Sequence, residues 1–119
     1  MKKTLVFGAS LKPNHYSNMA IRRLAEKGIE TVGYGLVGGT VNGVQVTSNL
    51  EEIKSAHTLS LYMNPGRQQP FYEFFLRLHP KRVIFNPGTE NPDLRARLES
   101  SGIETLEACT LVMLATDTY

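Results

Sequence analysis

Apolar and polar positions along the chain follow two alternating rhythms. "TLVF" (residues 4 to 7) is a short apolar run stopped by Gly8, which predicts the first strand. In residues 17 to 27 the period changes: Ala20, Ile21, Leu24 and Ala25 fall on one helical face, Ser17 stands at the N-cap position, and Gly28 is the expected left-handed stop. "IETVGY" (29 to 34) predicts the second strand. "VNGV" (41 to 44) carries an Asn-Gly pair suited to a tight hairpin, which leaves "VQV" beyond it as a short edge strand. "SNLE" (48 to 51) has the form of a capping box and predicts a short helix through about Ala56.

The second half repeats the alternation. "TLSLYM" (58 to 63) predicts a buried strand, and a helix should begin near Pro70, with Phe71, Phe74, Phe75 and Leu78 on its inner face and Pro80 ending the run. "RVIF" (82 to 85) is the next strand, Asn91 caps a helix with Pro92 at its first position, and Gly102 closes that helix before the strand "IETL" (103 to 106). Strand and helix units of this length require parallel pairing through right-handed crossovers. The expected fold is therefore α/β: one doubly wound, mostly parallel sheet in the order 3-2-1-4-5-6 with helices on both faces, occupying residues 1 to 119 as a single domain. The tail "TLVMLA" (110 to 115) is expected to cover the sheet edge as core, or, if exposed, to make a homodimer contact.

Such a sheet binds ligands beyond the carboxyl ends of its strands. Three of those ends carry unusual loops: "GASLKPNHYS" after the first strand, "MNPGRQQP" after the fourth and "NPGTENP" after the fifth. Each has small residues where backbone can approach a ligand, and each leads into a helix N-terminus, where free N–H groups attract anions. Turn chemistry alone also accounts for Pro-Gly in any one of them. The dinucleotide fingerprint is absent, because "GASLKPN" has no second or third glycine after Gly8 and "GYGLVGG" offers no acidic residue for a ribose. A Walker-A loop is absent too.

Composition narrows the rest. A chain of 119 residues with 41% hydrophobic and 20% charged residues suits one globular domain, too short for separate nucleotide and substrate domains. No apolar run reaches the roughly 20 residues of a membrane span, and "LVF" is too short for a signal-peptide core, so a cytoplasmic protein without membrane contact is expected. A formal charge of +2 suits a small anionic ligand and does not call for nucleic acid; Arg22, Arg23 and Lys27 are spaced like a solvated helix face. The single cysteine, Cys109, excludes an internal disulfide and cannot by itself hold zinc, and no metal site is expected.

"GAS" followed by a serine-led helix, then "VGYGLVGGTVNGVQVTSNLEEI", "LYMNPGRQ", "IFNPGTEN" and "EAC" resemble, in order and spacing, the small stand-alone CoA-binding domains. They are similar also to the CoA-binding domain of the succinyl-CoA ligase alpha subunit. The resemblance runs from Thr4 to Cys109 and implies a Rossmann-like fold whose cofactor is coenzyme A or an acyl-CoA. Carried over by position, it implies that Gly8, Ala9 and Ser10 lie against the CoA phosphates with Ser17 close by, and that Tyr34 lines the second-strand side. Met63, Asn64 and Pro65 would flank the nucleotide, and Asn86, Pro87, Gly88 and Thr89 would complete the rim toward the pantetheine arm. The chain departs from similar members in carrying Lys12 and His15 where many have an arginine, and "GYGL" where many end the second strand in a "VNP"-like sequence. It has no segment resembling the grasp domain or phosphohistidine segment of the ligases, so binding is implied more readily than acyl-CoA synthesis.

Other reactive side chains have two readings each. His15 in the rim loop can meet a phosphate when protonated or simply be solvated, and His57 and His79 stand at element ends. Glu90 is the sole candidate general base, with capping or solvation as the alternative; Cys109 can meet a CoA thiol or behave as a small hydrophobe. Rival functions are accordingly a small enzyme acting on an acyl-CoA or nucleotide, and a regulatory interaction module with a closed cleft.

Overall fold

The computed structural model describes residues 2 to 119. Seven strands form one sheet in the order β3-β4-β2-β1-β5-β6-β7. The strands are β1 (Thr4–Phe7), β2 (Thr31–Tyr34), β3 (Gly39–Val41), β4 (Val44–Thr47), β5 (Thr58–Leu61), β6 (Arg82–Phe85) and β7 (Glu104–Glu107). The helices are α1 (Tyr16–Glu26), α2 (Pro65–Gln68), α3 (Tyr72–Leu78), α4 (Pro92–Ser100) and α5 (Thr110–Ala115). All pairings are parallel except β3 with β4. Six parallel strands thus follow the expected 3-2-1-4-5-6 path, with β3 added antiparallel at one edge.

Alternation along the central strands divides the core in two. Leu5, Phe7, Leu59, Leu61, Val83 and Phe85 point to the face covered by α3 and α4. Val6 points to the opposite face, under Ile21 and Leu24 of α1 and Leu114 of α5. Each fully buried Leu or Phe of this kind contributes about 1.5–3 kcal/mol of transfer free energy. Phe7 is the hub of an aromatic cluster, stacked on Tyr34 at 4.7 Å between ring centroids and edge-on to Phe75 at 4.9 Å.

Several boundaries differ from the sequence expectation for identifiable reasons. The Asn42-Gly43 pair does make the hairpin, both residues having positive φ, but the edge strand is β3, and "VQV" lies inside the sheet between β3 and β2. His15, not Ser17, is the N-cap of α1. The capping box at Ser48 gives only a single 3-10 turn, Leu50–Glu52, capped by Asn49, because the chain must extend at Ile53 to enter the core. The helical run before α3 starts earlier than Pro70: Asn64 caps α2, and a 3-10 turn over Gln69–Phe71 passes into α3. The fourth expected strand stops at Leu61, and α3 ends at Leu78 with His79 in the left-handed conformation. The tail is a helix packed beside α1, with Thr110, Met113 and Leu114 buried over the middle of the sheet and not at its edge.

Candidate functional site

The chain leaves β4, crosses the sheet and re-enters as β5 on the other side of β1, so the strand order reverses between β1 and β5. At the carboxyl ends of these strands lies a cleft of about 990 Å³, lined from the loops after β1, β2, β5 and β6. Two glycines let the loop after β1 meet the loops after β2 and β5. Gly35 passes so close to Ala9 that a Cβ there would lie 2.2 Å from the Ala9 carbonyl oxygen, and Gly8, at φ 96°, abuts the backbone of Tyr62. The amides of Gly8 and Ala9 both donate to the Tyr34 carbonyl, at 2.9 and 2.8 Å.

The β1–α1 loop is held from the helix it precedes. Ser17 Oγ accepts from the Ser10 amide at 3.1 Å, and Asn18 donates its side-chain amide to the Ser10 carbonyl at 3.0 Å while accepting from Arg22 at 2.9 Å. Ser17 is therefore a brace for the Ser10 peptide, a role that its buried position inside the first turn allows and an N-cap would not. No side chain caps α1, so the amides of its first turn and their partial positive charge face the cleft.

The other two loops are tied together by Gln68, which is fully buried. Its amide donates to the carbonyls of Met63 at 2.7 Å and Thr89 at 2.9 Å, and its oxygen accepts from Asn91 at 2.8 Å. Asn91 in turn caps α4 through the Leu94 amide and donates to the Tyr72 hydroxyl. One side chain thus fixes the β5–α2 loop against the β6–α4 loop.

Eleven of the thirteen site residues named from the sequence line the cleft: Gly8, Ala9, Ser10, His15, Ser17, Tyr34, Met63, Asn64, Pro87, Gly88 and Thr89. Pro65 does not, and neither does Asn86. The Asn86 side chain turns inward, donating to Ser60 Oγ and the Leu61 carbonyl and accepting from the Thr110 amide at 2.8 Å, so it anchors the loop from beneath. Sequence reading missed Leu11, Tyr16, Leu36, Val37, Arg67 and Phe71. Their signal lay in exposure: Tyr16, Leu36 and Val37 are 71%, 80% and 64% exposed, unusual for large apolar side chains. Lys12, His15 and Arg67 line the cleft, and among the described residues no carboxylate does.

Glu90 and Cys109 stand outside that lining. Glu90 accepts from the Gly88 amide at 2.9 Å, stabilising the turn, and Cys109 is a half-buried N-cap residue of α5. Tyr62 also borders the cleft; burial pushes its pKa up to about 12. Its hydroxyl lies near Ser60 and Thr110, which bond each other at 2.8 Å, and it completes no hydrogen bond of its own. Among the described residues no group of three or more His, Cys, Asp or Glu could hold a metal ion, and no helix is long and apolar enough to cross a membrane.

A sheet that reverses order beside bare loops, with cations and helix amides at its rim, is the setting in which a family match carries meaning. Residues 2–115 match the family model described as CoA binding domain. The chain belongs to the CoA-binding domain family. A crystal structure of an uncharacterized protein shares 43% identity with it, covering 100% of this chain and 98% of that one, with a TM-score of 0.94. The structure of cell-free ID.343 from Thermus thermophilus, at 21% identity, has a TM-score of 0.86 over 99% of this chain and 90% of its own. A hypothetical protein from Pyrococcus horikoshii OT3, also at 21% identity, gives 0.86 over 97% of this chain and 82% of its own. The last two establish the shared fold. No curated protein sequence matches the chain significantly.

Proposed function

We propose that the protein binds coenzyme A or an acyl-CoA across the loops at the carboxyl edge of its parallel sheet, without catalysis of its own. The observation that carries this reading is one cleft in which small-residue loops, a helix N-terminus without a side-chain cap and the cationic side chains of Lys12 and Arg67 meet, with no carboxylate among the described residues that line it. A diphosphate is the ligand fragment that uses all of these at once. In this arrangement the diphosphate lies against Gly8, Ala9, Ser10 and the first turn of α1, with Lys12 and Arg67 as its counter-charges and His15 beside them. The exposed side chains of Leu36, Val37 and Tyr16 give the adenine an apolar surface, and Pro87, Gly88 and Thr89 border the pantetheine arm.

Binding without turnover is supported by the position of the two residues that an enzyme would recruit. Glu90 is committed to its own turn and Cys109 is not among the residues that line the cleft. Anchoring follows from preorganisation: the Ser10 peptide is braced by Ser17 and Asn18, and the opposite loops are locked through Gln68, so little ordering is left to oppose binding.

Isothermal titration with CoA, acetyl-CoA, NAD and ATP tests the reading. Saturable binding of the CoA species, weakened by roughly tenfold in the Lys12→Ala/Arg67→Ala double variant, is the expected result. Binding of NAD or ATP with no response to CoA would contradict it.

A further inference from the structure

At the opposite end of the sheet, where β1, β5 and β6 begin, stands the one charged side chain among the buried residues described. Arg82 is 7% exposed. Its Nε donates to Thr58 Oγ1 at 2.9 Å, its guanidinium carbon sits 4.4 Å from the centre of the Tyr119 ring, and its Nη2 has no hydrogen-bond partner. It takes part in none of the ion pairs among the described residues. A buried guanidinium without a counter-ion is costly, because its desolvation is repaid only by close negative charge.

The surroundings add positive charge, and among the described residues no side-chain carboxylate forms an ion pair with Arg82. Lys2 lies 5.9 Å from the same tyrosine ring and donates to the main-chain oxygen of Tyr119. His57 shares Thr58 Oγ1 with Arg82, through Nδ1 at 2.8 Å, and the Lys81 amide donates to the His57 carbonyl at 2.8 Å. The nearby acids are used elsewhere or stand apart. Glu30 pairs with Lys3 at 3.8 Å, Asp117 with Lys27 at 3.6 Å, and Glu104, the register partner of Arg82 on β7, is exposed and forms no ion pair with it. The pKa of His57 is held below its ordinary value by burial and then by Arg82, Lys2 and Lys81, which is consistent with an uncompensated positive field.

We propose that this end of the sheet is a second anion site, in which Arg82, flanked by Lys2 and Lys81, takes a small tetrahedral oxyanion: inorganic phosphate or the phosphoryl group of a monoester. The guanidinium offers Nη2 as the free arm of its fork, and the two lysines supply the remaining charge for a dianion. Tyr119 covers the guanidinium face, so the ring moves outward, together with the Lys2 side chain bonded to its main-chain oxygen, as the anion enters. The site is independent of the cleft, lying at the other end of the same strands.

The test is a titration of the 15N-labelled protein with inorganic phosphate and, separately, with glycerol phosphate, followed by amide shifts. Saturable shifts at Thr4, Thr58, Lys81 and Tyr119 are expected; a stronger response to glycerol phosphate assigns the monoester as the preferred source, and a stronger response to inorganic phosphate assigns the free ion. Arg82→Met should abolish these shifts while CoA titration of the same variant is unchanged. Should that variant fail to fold, Lys2→Ala/Lys81→Ala, which alters only exposed or partly exposed side chains, should weaken phosphate binding roughly fivefold or more. Shifts confined to Ser10, Ser17 and Gly88, no saturable shift at all, or full binding by either variant would overturn the proposal.

Discussion

At the scale of single residues, the cleft depends on positions where a side chain is missing as much as on those where one is present. Gly35 is the clearest case, since any Cβ must displace the Ala9 carbonyl. Gly35→Ala should therefore cost about 1–3 kcal/mol of stability in urea unfolding and part the loops after β1 and β2. Asn86 contributes in the opposite way, through three buried hydrogen bonds. Asn86→Ala should cost about 2–4 kcal/mol by the same measurement, because the Thr110 amide loses its partner and the Ser60 hydroxyl loses one of its two. His57 sets a pH response. Its folded-state pKa lies below the ordinary histidine value of 6.5, so the unfolded chain takes up the proton first as pH falls. Its contribution is thus intact above pH 6.5 and is lost as pH drops through the folded value. Urea midpoints measured across that window should fall with acidity, and His57→Gln should flatten the slope.

At the scale of elements, strand and helix alternation was legible because it rests on burial. β1, β5 and β6 are buried at every position and read as short, largely apolar runs, and α4 announced itself through Asn91, Pro92 and Gly102. The misplacements came where a local signal had two uses. Ser17 looks like a cap, yet its hydroxyl braces Ser10 from one turn further in. Asn86 looks like a rim residue, yet its side chain is a tie to β5 and α5. Gln68 gave no signal, since a glutamine beside another glutamine is an ordinary surface feature until the fold buries it. Its importance can be measured. Gln68→Leu keeps the volume but removes the bonds to Met63, Thr89 and Asn91. It should lower stability by about 1–3 kcal/mol and weaken CoA binding by raising KD through a faster off-rate.

At the scale of the whole molecule, the two ends of the sheet have separate characters. The carboxyl end gathers glycines, helix amides and exposed apolar side chains around a single cleft; the amino end gathers Lys2, Lys81 and Arg82 around a buried positive charge. The central claim is that loops far apart in sequence act together on one ligand at the carboxyl end. Hydrogen exchange with and without saturating CoA tests that claim most directly. The account predicts slowed exchange in residues 8–17, 62–67 and 87–89 together, with β7 unchanged. Protection of only one of these segments, or protection elsewhere with all three unaffected, would contradict it.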